Sequence, residues 1–273
     1  MAPGRTGLQE VSVNIVVCVK RVPDTAAEKN LDPGDFTLDR ENVEAIVNPV
    51  DEYGIEEALK LKEQHGGEVT VLTMGPAGAE KDAVRKALAM GADKGVMVTD
   101  DALHGSDAMA TAYTLSLALA QQDFDLVVMG AEATDSRNSL VPQAVAQYLA
   151  LPGLTFVKKI EQSGEGTIRV EREVEGGYDV IEAPLPAVVS VVKGINEPRY
   201  ATLKGIMGAK SKPVEVLSAE DIGIDASEVG AAGSKTEVIS AEARPPKAQG
   251  EIVTDEGDGA VKLADFLQTN KFI

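Results

Sequence analysis

Polar and glycine residues follow several short apolar runs of the sequence, and these tails are where chemistry is expected. Cys18 lies near the end of the first run, Met74 ends the second, and Gly130 opens a longer tail behind the fourth. The carboxyl ends of parallel strands meet at one edge of an open sheet, where such sheets bind their ligands. We therefore expect a ligand site built from these tails.

The tail behind the fourth run carries the most suitable groups. Asn138 and Ser139 stand just before a predicted helix with Pro142 in its first turn, and either side chain is a good N-terminal cap. Backbone amides at a helix start also attract phosphate groups. An ordinary capped helix accounts for the same residues, so this feature alone favours the simpler interpretation.

Groups for independent catalysis are few in this sequence. It has neither a G-x-x-x-x-G-K-[ST] nor a G-x-G-x-x-G phosphate-binding motif, and no HExxH or CxxC. Its two histidines, His65 and His104, have no sequence partners that would complete a metal site or a Ser-His-acid set. Cys18 lies in a valine-rich run, where a buried apolar role is commoner than a nucleophilic one. We predict no catalytic residue and no metal ion.

Composition sets further limits on the class of protein. The 273 residues are 44% hydrophobic, enough for a large core, and they carry a formal net charge of −18. That charge argues against a nucleic-acid partner, because binding a phosphate backbone requires positive charge. No window approaches the roughly 18 uninterrupted apolar residues of a membrane helix, and the first residues lack the apolar core of a secretory signal. We expect a cytoplasmic protein without membrane insertion.

Apolar runs alternate with amphipathic stretches over the first 130 residues, and this pattern predicts the elements that position the tails. Strands are predicted at 13–19, 68–74, 94–98 and 124–130. Helices are predicted at 51–64, 80–90 and 106–121, with Gly66 and Gly91 as left-handed caps. The pattern indicates an α/β fold with an open, mostly parallel twisted sheet and helices on both faces.

Two later regions depart from this rhythm. Residues 20–47 form an unusually long connection, which we interpret as a tight turn and a short hairpin over the sheet end. After Leu151, polar and apolar residues alternate through the run AVVSVVKG at 187–194, which predicts antiparallel hairpin arms on the same sheet or packed on its edge. The chain then becomes irregular from Asn196.

Three segments follow from this division of the chain. Residues 1–12 are expected to be an N-terminal extension, and 13–228 an α/β domain that includes a loop at 196–212. Residues 229–273 are expected to form a polar, Gly/Pro-rich arm that ends in a short helix at 259–268. The apolar face of that helix needs a surface to cover it, and we expect a partner protein to supply one.

The stretch NEPRYATLKGIMGAKSKPVEV, which begins at Asn196, is the most specific motif in the chain. It resembles the beta-subunit signature of electron-transfer flavoproteins, in which N-E-P-R-Y-A-T-L is followed by I-M-x-A-K-x-K. Further similar motifs are V-K-R after the first strand, N-P at 48–49, K-A-L-A-M-G-A-D at 86–93 and V-E-R-E-V-x-G-G at 170–177. The resemblance extends from about Val13 to the end of the chain, and it implies an adenine-nucleotide-binding, Rossmann-like version of the predicted fold.

The resemblance also implies the cofactors and the residues that hold them. In similar proteins the beta subunit binds AMP, while FAD lies mostly in the alpha subunit. The matching AMP-site residues are Cys18, Asn48, Pro49, Val50, Asp51, Met74, Gly130, Thr134, Asp135, Asn138, Ser139, Leu140 and Val141. By the same match, Glu173 and the segment 23–25 would approach the flavin.

The resemblance implies docking partners as well. The residues that match the family's recognition loop are Asn196, Pro198, Arg199, Tyr200, Leu203, Ile206 and Met207, with Leu203 as the apolar anchor. The implied partners are an alpha subunit, flavin dehydrogenases such as the acyl-CoA dehydrogenases of fatty acid oxidation, and a quinone-linked oxidoreductase. The family's basic run is sparser in this chain, at 208–212, so docking by positive charge is expected to be weaker.

Three functions stay open at this point. The leading interpretation is a non-catalytic electron carrier. A bifurcating protein, which would be an enzyme, would hold a second FAD in place of AMP and oxidise NADH; Val50 and Asp51 depart from some family members and leave the bound nucleotide open. A stand-alone ATP-binding stress-type protein is the third, and it predicts a monomer without flavin.

Overall fold

The computed structural model describes residues 12–40, 42–79, 83–164, 166–242, 245, 250 and 252–273. The predicted extension, except for Ser12, lies outside these residues, as do 80–82 at the start of one predicted helix and parts of the predicted arm. The chain divides into two units, the first ending at Val238 and the second running from Ile239 to Ile273.

Strands and helices alternate through the first part of the chain, and hairpin strands follow them. The strands are β1 (Ile15–Cys18), β2 (Arg21–Pro23), β3 (Ala45–Val47), β4 (Val69–Met74), β5 (Lys94–Val98), β6 (Leu126–Gly130), β7 (Gly153–Gly164), β8 (Thr167–Val174), β9 (Gly177–Pro184), β10 (Ala187–Val191) and β11 (Val214–Leu217). The helices are α1 (Pro49–His65), α2 (Val84–Met90), α3 (Ala108–Ala120), α4 (Val141–Tyr148), α5 (Leu203–Ala209), α6 (Gly230–Gly233) and α7 (Gly259–Thr269).

Nine strands form one mixed sheet in the order β11-β5-β4-β1-β6-β10-β7-β8-β9. The pairs from β11 to β7 are parallel, and only β7–β8 and β8–β9 are antiparallel. This confirms the predicted α/β class with an open, mostly parallel sheet and antiparallel hairpin strands. The long connection does contain the predicted hairpin-like pairing, in which β2 and β3 run antiparallel and form a separate two-stranded sheet.

Alternation along β1 shows how the two sheet faces are covered. Ile15 and Val17 belong to the apolar cluster that includes residues of α1 and α2, while Val16 and Cys18 belong to the cluster with α3 and α4. Because β1 is central and buried on both sides, its residues are apolar without interruption. Helices therefore cover both faces, as predicted.

The predictions for the second half of the chain were partly wrong. The run 187–194 was assigned to antiparallel arms, but β10 lies parallel between β6 and β7. All five of its residues are buried, and its run is apolar except for Ser190, which is typical of such an internal parallel strand. The region after Asn196 was expected to be irregular, yet it contains α5 and the edge strand β11. Gly66 and Gly91 adopt positive φ, but neither has the ψ of a left-handed helical cap.

Candidate functional site

A pocket of about 140 Å³ lies at the carboxyl ends of β1, β4 and β6. Its lining residues are Cys18, Val19, Lys20, Asn48, Asp51, Met74, Thr111, Leu115, Met129, Gly130, Ala131, Glu132, Ala133, Ser136, Asn138, Val141 and Pro142. The tails of three predicted strands therefore meet at one pocket, at the edge where open α/β sheets bind ligands.

Asn48 connects two walls of this pocket. Its Nδ2 donates to Asp51 Oδ1 and to the Glu132 carbonyl, both at 2.9 Å, and its Oδ1 accepts from the Thr134 amide at 3.1 Å. Only 1% of Asn48 is exposed. The side chain thus ties the start of α1 to the tail of β6; its bond to Asp51 is buried, and its two bonds to the tail are partly buried.

Asp51 is a buried carboxylate in the pocket wall. Its Oδ2 accepts from the Lys20 amide at 2.7 Å, while its Oδ1 accepts from Asn48. A β-carbon at Gly130 would lie 2.3 Å from Asp51 Oδ1, so the tail of β6 requires glycine at this close approach. Burial raises the pKa of Asp51 to about 7, although hydrogen bonds from Asn48, Lys20 and Gly130 oppose part of that rise.

Asp51 should therefore make stability depend on pH. Unfolded Asp51 ionises near its ordinary pKa of 3.8, whereas folded Asp51 keeps its proton to about 7. The unfolding free energy should fall as pH rises through this window, by up to roughly 1.4 kcal/mol per pH unit. Urea unfolding of wild type and Asp51→Asn across the window checks this. The variant is expected to be less stable overall and to lose this pH dependence of the unfolding free energy. Parallel pH profiles for the two proteins would contradict the raised pKa of Asp51.

Asp135 faces cations instead of lining the pocket. Its carboxylate accepts from Lys20 Nζ at 2.8 Å and from Arg40 Nη2 at 2.9 Å, and its side chain is 1% exposed. Burial works against the carboxylate, but Lys20 and Arg40 outweigh it and lower the pKa of Asp135. This cluster ties the tail of β6 to the 20–47 connection.

The start of α4 differs from the prediction. Asn138 and Ser139 were expected to cap it, but the capping position is Leu140 and no side chain caps the helix. Asn138 Oδ1 accepts from the Leu140 amide at 3.1 Å, which forms a turn before the helix. Arg137 and Ser139 both have positive φ, near +50°, and the helix starts one or two residues later than the sequence suggested.

The hydroxyl of Thr134 is a polar group without a protein partner. Its Oγ1 is buried and makes no hydrogen bond within the described residues. Leaving such a group unpaired costs about 1–3 kcal/mol, so a ligand or water that supplies the bond is favoured. Thr134 lies in the tail of β6 between two pocket-lining residues, Ala133 and Ser136, which makes this tail a suitable polar edge for a bound nucleotide.

The structure brings together only part of the predicted nucleotide site. Seven of those residues line the pocket: Cys18, Asn48, Asp51, Met74, Gly130, Asn138 and Val141. Others flank them in sequence without lining it: Pro49, Val50, Thr134, Asp135, Ser139 and Leu140. Glu173 lies exposed on β8, in the antiparallel end of the sheet. Glu173 does not line this pocket, and its approach to a flavin stays a prediction.

Sequence reasoning missed the wall that α3 contributes. Thr111 and Leu115 line the pocket and lie four residues apart, on one face of that helix. The apolar spacing within 106–121 was visible, but it could not indicate which helix would pass beside the strand tails. Cys18 also lines the pocket; burial and nearby Asp51 raise the pKa of its thiol, which disfavours the nucleophilic thiolate.

A second feature is an exposed apolar surface on and before α5. We call it the docking patch and define it by Tyr200, Leu203, Ile206 and Met207, which are 95%, 76%, 49% and 68% exposed. The predicted docking residues Asn196, Pro198 and Arg199 are only partly exposed. Asn196 and Arg199 bond instead to residues of α1.

Two negative findings concern the described residues alone. Within them, no group of three or more His, Cys, Asp or Glu side chains is arranged to hold a metal ion. In the same part of the chain, no helix is both long and apolar enough to cross a bilayer.

Comparison with known proteins gives consistent matches. Residues 35–222 match the family model described as electron transfer flavoprotein domain. The chain is 46% identical over 266 residues to electron transfer flavoprotein subunit beta of Mycobacterium tuberculosis, covering 95% of this chain and 99% of that relative. It is 41% identical to the same subunit of Clostridium acetobutylicum, covering 88% and 92%. It is also 39% identical to the caffeyl-CoA reductase-Etf complex subunit CarD of Acetobacterium woodii, covering 89% and 92%.

Proposed function

This chain belongs to the electron transfer flavoprotein family as a beta subunit, and from that premise we propose a specific carrier function. The chain assembles with an alpha subunit and holds AMP in the pocket at the sheet end. The heterodimer accepts electrons from flavin dehydrogenases, such as the acyl-CoA dehydrogenases of fatty acid oxidation, and passes them to a quinone-linked oxidoreductase. FAD, held mostly by the alpha subunit, supplies the redox chemistry.

The observation that carries this proposal is the docking patch. Leu203 is 76% exposed and Tyr200 is 95% exposed, on a segment tied to α1 and α2. Exposed apolar side chains that cluster into one patch are typical of binding surfaces, and an apolar anchor in a partner's pocket is a typical binding hot spot. A carrier that must find and leave successive partners needs such a small, preformed contact.

The pocket fits an adenine nucleotide in its chemistry. Apolar side chains from β1, β4 and α3 offer walls for a flat base: Cys18, Met74 and Leu115. Ser136 and Asn138, in the tail between β6 and α4, add polar side chains to the lining. In this role Asn48 and Asp51 shape the pocket and hold its walls together, and none of these residues needs to transfer an electron or a proton.

Cofactor content tests the proposal and separates it from the bifurcating alternative. The purified heterodimer would be heat-denatured and its released FAD and AMP quantified. Near one FAD and one AMP per heterodimer supports the carrier, and near two FAD without AMP supports the bifurcating enzyme. A chain that purifies as a monomer, without flavin and without a companion subunit, would contradict both, and family membership already argues against that third alternative.

A charge placed at the pocket mouth should discriminate against phosphate. In Asn138→Asp the new carboxylate can still accept from the Leu140 amide, but it repels an anion bound in the pocket. We expect AMP to bind about fivefold to tenfold more weakly, or ~1 kcal/mol, with adenosine affinity unchanged. Asn42→Asp adds the same charge at an exposed position outside the pocket lining and is the control. Equal losses for both ligands would place the phosphate elsewhere.

We further propose that the second unit packs on the alpha subunit. Its helix α7 exposes Val261, Leu263 and Phe266, which are 63%, 59% and 55% exposed. These residues lie within two turns of an amphipathic helix, and burial of their side chains against a partner would be favourable. Because residues 239–273 form a unit of their own after Val238, we propose that this unit makes the contact with the alpha subunit.

A further inference from the structure

The base of the docking patch contains an ion-pair cluster that the proposed function does not itself require. Arg199 Nε and Nη2 donate to the two carboxylate oxygens of Glu56 at 2.7 and 3.0 Å, and the Arg199 amide donates to Glu56 Oε2 at 3.1 Å. On the outer side, Arg199 Nη1 and Nη2 donate to Glu63 at 2.5 and 3.2 Å. The guanidinium is thus held by two carboxylates of α1 and has little capacity left for another partner.

Glu56 is the inner member of this cluster. Only 6% of the residue is exposed, so a docking protein cannot reach it without displacing Arg199. Nearby, Asn196 Nδ2 donates to the Tyr53 carbonyl at 3.0 Å and to Glu57 Oε2 at 2.9 Å. The residues that enter the docking patch are therefore bonded to α1 at two points.

The other end of the patch is fixed on α2. Arg85 Nη1 donates to the Ala209 carbonyl at 2.6 Å, and Lys212 Nζ donates to the Leu88 carbonyl at 2.9 Å. A β-carbon at Gly205 would lie 2.2 Å from the Ala89 carbonyl oxygen, so α5 rests directly on the backbone of α2. Lys212, the last residue of the sparse basic run at 208–212, is itself bonded to a carbonyl of α2.

We propose that Arg199 and Glu56 are positioning residues, which hold the docking patch in its binding geometry before a redox partner arrives. This rests on the proposed function, because the patch must be what the partner recognises. Sequence reasoning placed Arg199 among the docking contacts, whereas its bonds to α1 assign it to the support beneath them. An anchored patch loses less conformational freedom on binding, and affinity gained in this way appears in KM rather than in the electron-transfer step.

Kinetics of the purified heterodimer with an acyl-CoA dehydrogenase test the proposal. Glu56→Gln and Arg199→Met should each raise the KM for the heterodimer about tenfold, with kcat within about twofold and an unchanged salt dependence. Arg199→Lys should recover part of the loss, since it keeps one charge-assisted bond. Glu63→Gln removes the same type of group from the exposed side, and it is the matched control expected to stay within about twofold.

Different outcomes overturn the proposal. A normal KM in Glu56→Gln, together with a raised KM and a flatter salt dependence in Arg199→Met, would show that Arg199 contacts the partner directly. Hydrogen exchange gives a readout that needs no partner: amides of 200–209 in the heterodimer should exchange about tenfold faster in both variants. Unchanged exchange would refute the anchoring. If the wild-type heterodimer accepted no electrons from any dehydrogenase, the proposed function would fail. The hydrogen-exchange rates of 200–209 would still test whether Arg199 and Glu56 anchor the patch.

Discussion

Asn48→Asp is expected to destabilise the folded chain by about 3–5 kcal/mol near neutral pH and to release the nucleotide that we propose for the pocket. The amide that now donates to Asp51 and to the Glu132 carbonyl becomes an acceptor facing two acceptors. Because the site is buried, water cannot screen this repulsion. One of the two carboxyls must keep a proton, and the loss should therefore shrink as the pH falls toward 5.

A matched control exists within the chain. Asn42 Nδ2 donates to Asp39 Oδ2 at 2.9 Å, with the same three-residue spacing, but at an exposed position. Asn42→Asp should cost no more than about 0.5–1 kcal/mol, because solvent screens the new charge. Urea unfolding of both variants at two pH values, together with nucleotide released per heterodimer, measures the difference. Equal stability losses would mean that burial does not govern the Asn48 link.

Leu203→Ala is expected to lower kcat/KM for electron transfer from an acyl-CoA dehydrogenase by about 30-fold, or ~2 kcal/mol, as for a typical binding hot spot. Leu203 is 76% exposed, so its truncation leaves no cavity in this chain. The unfolding free energy should therefore change by less than about 0.5 kcal/mol. The flavin spectrum and the heterodimer should stay intact.

Val216→Ala provides the comparison for this variant. Val216 is 57% exposed on the edge strand β11, so it loses apolar surface of a similar kind outside the docking patch. Stopped-flow reduction of each heterodimer by the dehydrogenase measures the effect. Dissociation of the heterodimer in Leu203→Ala would assign this side chain to the subunit interface, and unchanged transfer would remove the patch from docking altogether.

Elements with a local signal were predicted well from the sequence. Valine-rich runs bounded by turn residues indicated β1, β4, β5 and β6, and their shared edge located the pocket. In contrast, β10 was grouped with the antiparallel arms although its run is apolar except for Ser190, because its neighbours β6 and β7 are distant in sequence. Helix α5 was missed, since it is short, contains two glycines and exposes the apolar residues that would normally indicate a buried face.

The parts of the site that depend on distant pairing could not be predicted. Arg199 and Glu56 are separated by 143 residues, and nothing in the NEPRYATL motif indicates which carboxylate will hold its arginine. For the same reason, the ion pairs of Asp135 with Lys20 and Arg40 could not be predicted from the sequence. The backbone at Arg137 and Ser139, which moves the start of α4, depends on positive φ values that neither residue type requires.

Helix α1 connects the pocket with the support of the docking patch. Its first turn, at Asp51, forms part of the pocket wall, and its later turns carry Glu56 and Glu63, to which Arg199 is clamped. The helix has 17 residues, so it spans about 25 Å as one continuous element. The nucleotide that we propose for the pocket would therefore contact the same helix that holds Arg199, and its removal is expected to loosen the docking patch.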